Sequence, residues 1–110
     1  MWTEYKNYWK NVQVIQVFVA NPDTIPFDFG RRWDLYVWKE GKYVRPEQKG
    51  SYPIAWEDDL FIIDKAPLLY CFRFPVGDDY YLPVGKYRIT KKFGQQGKEI
   101  ELHADFEVKE

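Results

Sequence analysis

The 110-residue chain is long enough to bury a core of its own without disulfides or bound metal. Its 45% hydrophobic and 30% charged residues describe a globular domain, and no apolar run approaches the roughly 20 residues needed to span a bilayer. A formal net charge of -1 gives no long-range attraction for polyanions, which argues against nucleic acid as a partner, as the lack of a long apolar run argues against direct membrane insertion.

A single cysteine, Cys71, cannot close an intramolecular disulfide, and with one histidine, His103, it excludes the Cys/His sets of structural zinc sites. No cofactor or metal is implied. The opening segment Met1-Trp2-Thr3-Glu4-Tyr5-Lys6 mixes acid and base and has no apolar core, so it is not a secretory signal. The expected location is cytoplasmic, or the cell envelope or extracellular space if a signal has been removed.

Aromatic residues make up 20% of the chain and suit the pleated, half-buried surface of strands. Period-2 alternation recurs at short spacing along the whole sequence. The first clear strand is Val12 to Ala20, with Ile15, Val17 and Val19 on one face, ended by the turn Asn21-Pro22-Asp23. Phe27 to Phe29 is a short extended piece closed by Gly30, and Trp33 to Lys39 is the next strand.

Glu40-Gly41 reads as a two-residue hairpin turn, with Gly41 as its structural glycine. That turn opposes Trp38 to Tyr43 and Tyr36 to Arg45 and puts all four on one face, with Trp33, Leu35, Val37 and Val44 on the other. Facing solvent, the four would form an aromatic ledge of the kind that anchors a protein or stacks on a sugar. Facing inward, or covered by the segment Trp2 to Trp9, Trp38 would be the buried tryptophan of a sandwich.

Further strands are expected at Tyr52 to Trp56, Leu60 to Ile63 and Leu68 to Phe74, the last with Cys71 as inert packing. The final hairpin runs from Lys86 to Phe93 and from Lys98 to Val108 around Gly94-Gln95-Gln96-Gly97. A symmetric connection would oppose Lys92 to Glu99, Thr90 to Glu101, Arg88 to His103 and Lys86 to Asp105, with Ile100, Leu102, Ala104, Phe106 and Val108 on the core side.

No pattern for chemistry stands out. Ser51 is the one serine and lacks a nucleophile-elbow context, and the P-loop and Rossmann glycine patterns are absent. The acidic runs Glu57-Asp58-Asp59 and Asp78-Asp79 lack the spacing of a calcium loop. Arg31 and Arg32 beside Trp33 form a combination that can grip phosphate or stack on a base, and they read first as a solvated loop leading into a strand. With Trp56 and Tyr80, Arg31 marks the end loops as a second candidate binding region.

Leu82-Pro83-Val84-Gly85-Lys86-Tyr87-Arg88-Ile89 resembles the turn and tyrosine corner of immunoglobulin and fibronectin type III sandwiches, which implies structural roles for Gly85 and Tyr87. The longer string Gly85 to Phe93, followed by Phe106-Glu107-Val108, resembles bacterial immunoglobulin-like domains of envelope proteins and lipoproteins. The Asn21-Pro22-Asp23-Thr24 turn and the Glu40-Gly41-Lys42-Tyr43 hairpin agree with that group, while Asp64-Lys65-Ala66-Pro67 departs from it. In layout the chain is also similar to the intracellular proteinase inhibitors of bacilli.

The expectation is one all-β domain over residues 1–110, an antiparallel immunoglobulin-like β-sandwich of about seven to nine strands. It would be a non-catalytic interaction or accessory module, monomeric or weakly dimeric, that binds a protein or glycan through a sheet face or end loops. The alternative is a free-standing inhibitor of an enzyme or a defence complex, of the proteinase-inhibitor or phage-encoded kind.

Overall fold

The structure, a computed structural model, describes residues 1–51 and 53–110. Ten strands and one helical turn follow in order: β1 (Trp2–Thr3), β2 (Asn7–Trp9), β3 (Ile15–Ala20), β4 (Phe27–Phe29), β5 (Asp34–Lys39), β6 (Lys42–Val44), β7 (Phe61–Ile63), β8 (Leu69–Phe74), α1 (Val76–Asp79), β9 (Gly85–Gln95) and β10 (Lys98–Lys109). They form two sheets. The first has the order β1-β3-β8. The second runs β2-β10-β9, and the far side of β9 carries β5 along Tyr87 to Thr90 and β4 at Gly94, extended by β6 and β7 respectively.

The alternation in β3 decides what lies between the sheets. Ile15 and Val17 are fully buried and pack with Leu35 and Val37 of β5, Tyr87 and Ile89 of β9, and Phe106 and Val108 of β10. A smaller cluster of Val19, Phe27, Ala66 and Phe93 continues the core toward the β9–β10 turn. Both sheets therefore bury one face and leave the other in water, the usual economy of antiparallel sheets. No helix among the described residues is long and apolar enough to cross a membrane.

Several expectations need correction. The strands number ten among the described residues, because the first nine residues supply two that are too short to show a period. One pairing is parallel, β2 alongside the end of β10 with Val108 opposite Tyr8. Residues 53–56 of the expected strand Tyr52 to Trp56 are irregular, and Tyr52 lies outside the described residues.

The final hairpin turns on two residues, not four. Gln96 and Gly97 both have positive φ, 51° and 75°, the twist that suits a two-residue connection. Lys92 consequently faces Glu101, Thr90 faces His103, Arg88 faces Asp105 and Lys86 faces Glu107. The slip is two residues, so every side chain keeps its expected face. Ala104, Phe106 and Val108 are buried, but Ile100 near the turn is 36% exposed, beyond the reach of the core.

Cys71 is also exposed, contrary to its reading as packing. Strand β8 is the edge of the first sheet, and its odd positions Leu69, Cys71 and Arg73 all face out while Phe74 is buried. The nearly continuous apolar run hid that alternation.

Tyr87 behaves as its corner motif implies. The side chain is fully buried, stacks on Phe106 with ring centroids 5.3 Å apart, and its hydroxyl donates to the Pro83 carbonyl four residues upstream. Burial pushes the Tyr87 hydroxyl pKa up to about 12. Gly85 starts β9 opposite Val108, where an added Cβ would lie 3.6 Å from a Val37 methyl.

Candidate binding face

The Glu40-Gly41 turn sets the geometry of the outer face. Both residues have positive φ, 50° and 81°, and the turn joins β5 to β6 with Lys39 opposite Lys42, Trp38 opposite Tyr43 and Val37 opposite Val44. The alternation of β5 then sends Leu35 and Val37 into the core and Asp34, Tyr36 and Trp38 outward. Trp38 is 45% exposed, and the buried tryptophan is Trp33, packed on Phe74 and Trp56. The segment Trp2 to Trp9 pairs with β3 and β10 instead of covering this face.

The rings are held in place by one another and by cations. Trp38 meets Tyr43 edge-on at 4.9 Å between centroids, an arrangement that the ring quadrupoles favour. The Arg88 guanidinium lies 4.4 Å from the centre of the Tyr43 ring, and the Arg45 guanidinium 5.2 Å from that of Tyr36. Tyr36 has Arg88 as its cross-strand neighbour on β9, while Arg45 lies just past the end of β6.

Carboxylates fix the arginines. Arg88 donates to Asp105 from Nε and Nη2, at 2.7 and 3.0 Å, and these hydrogen bonds hold the Asp105 carboxyl below its ordinary value. At the other end of the face Arg45 donates to Asp34 Oδ1 at 2.7 Å and Arg32 to the same oxygen at 3.4 Å. Burial would raise the Asp34 carboxyl, but the hydrogen bonds from Arg45 and Arg32 outweigh it and leave the group more acidic than usual.

Trp56 and Tyr80 join this end. With Arg32, Arg45 and Asp34 they line a pocket of about 300 Å³. Tyr80 is buried, which raises its hydroxyl pKa, and it shares a hydrogen bond with Arg45. Arg31 borders a neighbouring cleft that Trp56 also lines. It donates to Asp59 at 2.6 Å, sits 3.6 Å from Glu57, and covers Phe61. The acidic run and this arginine thus satisfy each other, and among the described residues no His, Cys, Asp and Glu gather into a metal-binding group. Of the seven expected binding residues, Tyr36, Trp38, Tyr43 and Arg45 gather on the outer face, Trp56 and Tyr80 line the pocket at its Asp34 end, and Arg31 borders the neighbouring cleft.

Sequence reasoning passed over Asp34, Arg88 and Asp105 as members of this face, although their parity on β5, β9 and β10 would have placed them there. It also passed over Lys91, an inward-facing lysine between Ile89 and Phe93. Lys91 is 3% exposed, and its Nζ donates to the carbonyls of Gly30 at 2.8 Å and Arg32 at 3.0 Å. No protein-family model matches the chain, and neither does any curated protein.

Proposed function

We propose that the chain is an immunoglobulin-like, non-catalytic module that holds a protein or glycan partner against the outer face of its second sheet. The sheet orders β1-β3-β8 and β2-β10-β9-β5-β6, the parallel seat of β2 on β10, and the Tyr87 corner support the immunoglobulin-like reading. The observation that carries the functional reading is Trp38, 45% exposed next to the β5–β6 turn yet fixed against Tyr43. A rigid aromatic that is already ordered loses little entropy on binding, which is why such residues dominate contact surfaces. The bacterial envelope is the setting that the motif resemblance adds.

The test compares two quantities for Trp38→Ala, the melting temperature and the affinity for a partner found by glycan panel or copurification. Affinity should fall by about 2 kcal/mol, the scale of an aromatic anchor, with the melting temperature unchanged. Unchanged affinity for every partner would contradict the reading.

A further inference from the structure

The outer face of β5 does not end at Tyr36. Asp34, Tyr36 and Trp38 succeed one another at two-residue spacing, about 7 Å per step, so the face forms a track roughly 14 Å long that runs down into the pocket beside Asp34. Two guanidiniums, Arg32 and Arg45, share that pocket with one carboxylate, and both bind the same oxygen of it. The pocket is therefore net positive by one charge, and each guanidinium has five N–H donors of which Asp34 takes only a fraction. Trp56 and Ile54, both half-buried, supply an apolar wall.

The walls are built in advance. Lys49 N–H donates to the Asp79 carbonyl at 2.8 Å and Tyr81 N–H to the Glu47 carbonyl at 2.9 Å, so the chain leaving β6 is clamped to the segment that carries Tyr80. A site with two arginines gathered on one carboxylate oxygen and an aromatic wall suits a ring with an apolar C–H face, hydroxyls and a single carboxylate.

We infer that this pocket is the subsite for a uronic-acid residue of an acidic glycan, whose neighbouring sugars extend along Tyr36 toward Trp38. The inference rests on the reading that the outer face is the contact surface. The uronate carboxylate binds Arg32 and Arg45, a ring hydroxyl donates to Asp34, and Trp56 receives the ring face.

Titration calorimetry of the intact chain with a hexagalacturonate, a neutral hexasaccharide and a hexaglutamate peptide separates the possibilities. The hexagalacturonate should bind best. Arg45→Gln and Arg32→Gln should each weaken it about tenfold, as should Trp56→Ala, while Trp38→Ala weakens the hexamer and leaves free galacturonate unaffected. Because Arg45→Gln leaves Asp34 with one partner fewer and makes the pocket neutral, the double variant Asp34→Asn/Arg45→Gln, checked by melting temperature, repeats the test at the parent's net charge and should also lose the uronate. Uronate binding that ignores both arginines overturns the inference. So does preference for the peptide, or equal binding of the neutral sugar; if Trp38→Ala abolishes either of these, the contact-surface reading survives without the uronate subsite. No binding of any of the three overturns the uronate subsite, and indifference of every other partner to Trp38→Ala removes the contact surface as well.

Discussion

Lys91 and Arg45 are both cations laid over aromatic rings, but they stand in opposite environments. Lys91 lies 5.2 Å from the centre of Phe29 and 5.3 Å from that of Phe72, with two backbone carbonyls as its acceptors and no carboxylate among them. Arg45 lies on Tyr36 at the surface and is paired with Asp34. Burial without an opposite charge pushes the Lys91 pKa down to about 8, whereas the Asp34 hydrogen bond raises that of Arg45. The first cation closes one end of the core by latching the loop between β4 and β5. The second is solvated, charged and available. The same pairing of cation and ring thus serves the core where it is enclosed and leaves its charge in water where it is open.

The largest break in this comparison should come from the two tryptophans that bracket β5. Trp33 beside the Lys91 end is 5% exposed, so Trp33→Ala should lose about 3–5 kcal/mol of stability in denaturant titrations. Trp38→Ala should stay within about 0.5 kcal/mol of the parent. Equal losses would erase the distinction between the two regions.

Titration of Lys91 should sharpen it. A lysine whose pKa is about 8 when folded, against an ordinary 10.5, binds fewer protons in the folded state than in the unfolded state between those values. Stability should therefore rise with pH from about 8, by up to about 3 kcal/mol. Ionisation of Tyr87 in the unfolded chain opposes the rise above about pH 10, since its folded hydroxyl holds its proton to about 12. Lys91→Met should abolish the rise, and its stability at pH 7 sets the charge burial it relieves against the donor it takes from the Gly30 and Arg32 carbonyls. A flat profile in the parent would contradict the environment assigned to Lys91.

Smaller effects are expected elsewhere. Tyr87→Phe removes a single buried hydrogen bond and should lose about 1 kcal/mol. Arg88→Ala on the outer face breaks an exposed pair with Asp105 and should lose no more than about 1 kcal/mol, less at high salt.

The outer face was readable in the sequence because Glu40-Gly41 carries its own turn signal, which fixed the register of six residues at once. Gln96-Gly97 carries the same signal, but Gly94 masked it. Gly94 lies outside the turn, opposite Asp28 where β4 pairs with β9, and a Cβ there would displace the Asp28 carboxylate. Two causes of glycine look alike in a sequence, and the symmetric four-residue loop conflated them. Asp34, Arg32 and Arg45 are far less legible as a pocket, because the clamp between residues 47–49 and 79–81 joins segments with no local sign of each other. Lys91 left a clear mark, a charge at an inward position of an alternating strand, and only its acceptors needed the fold to be found.

The contact surface itself is tested most directly by amide and indole chemical-shift mapping as a partner is titrated into the labelled chain. The account predicts shifts at Asp34, Tyr36, Trp38, Tyr43 and Arg88, with the indole N–H of Trp38 among the largest. Shifts confined to the outer face of β3 and β8, around Phe18, Leu69 and Cys71, would contradict it and move recognition to the first sheet.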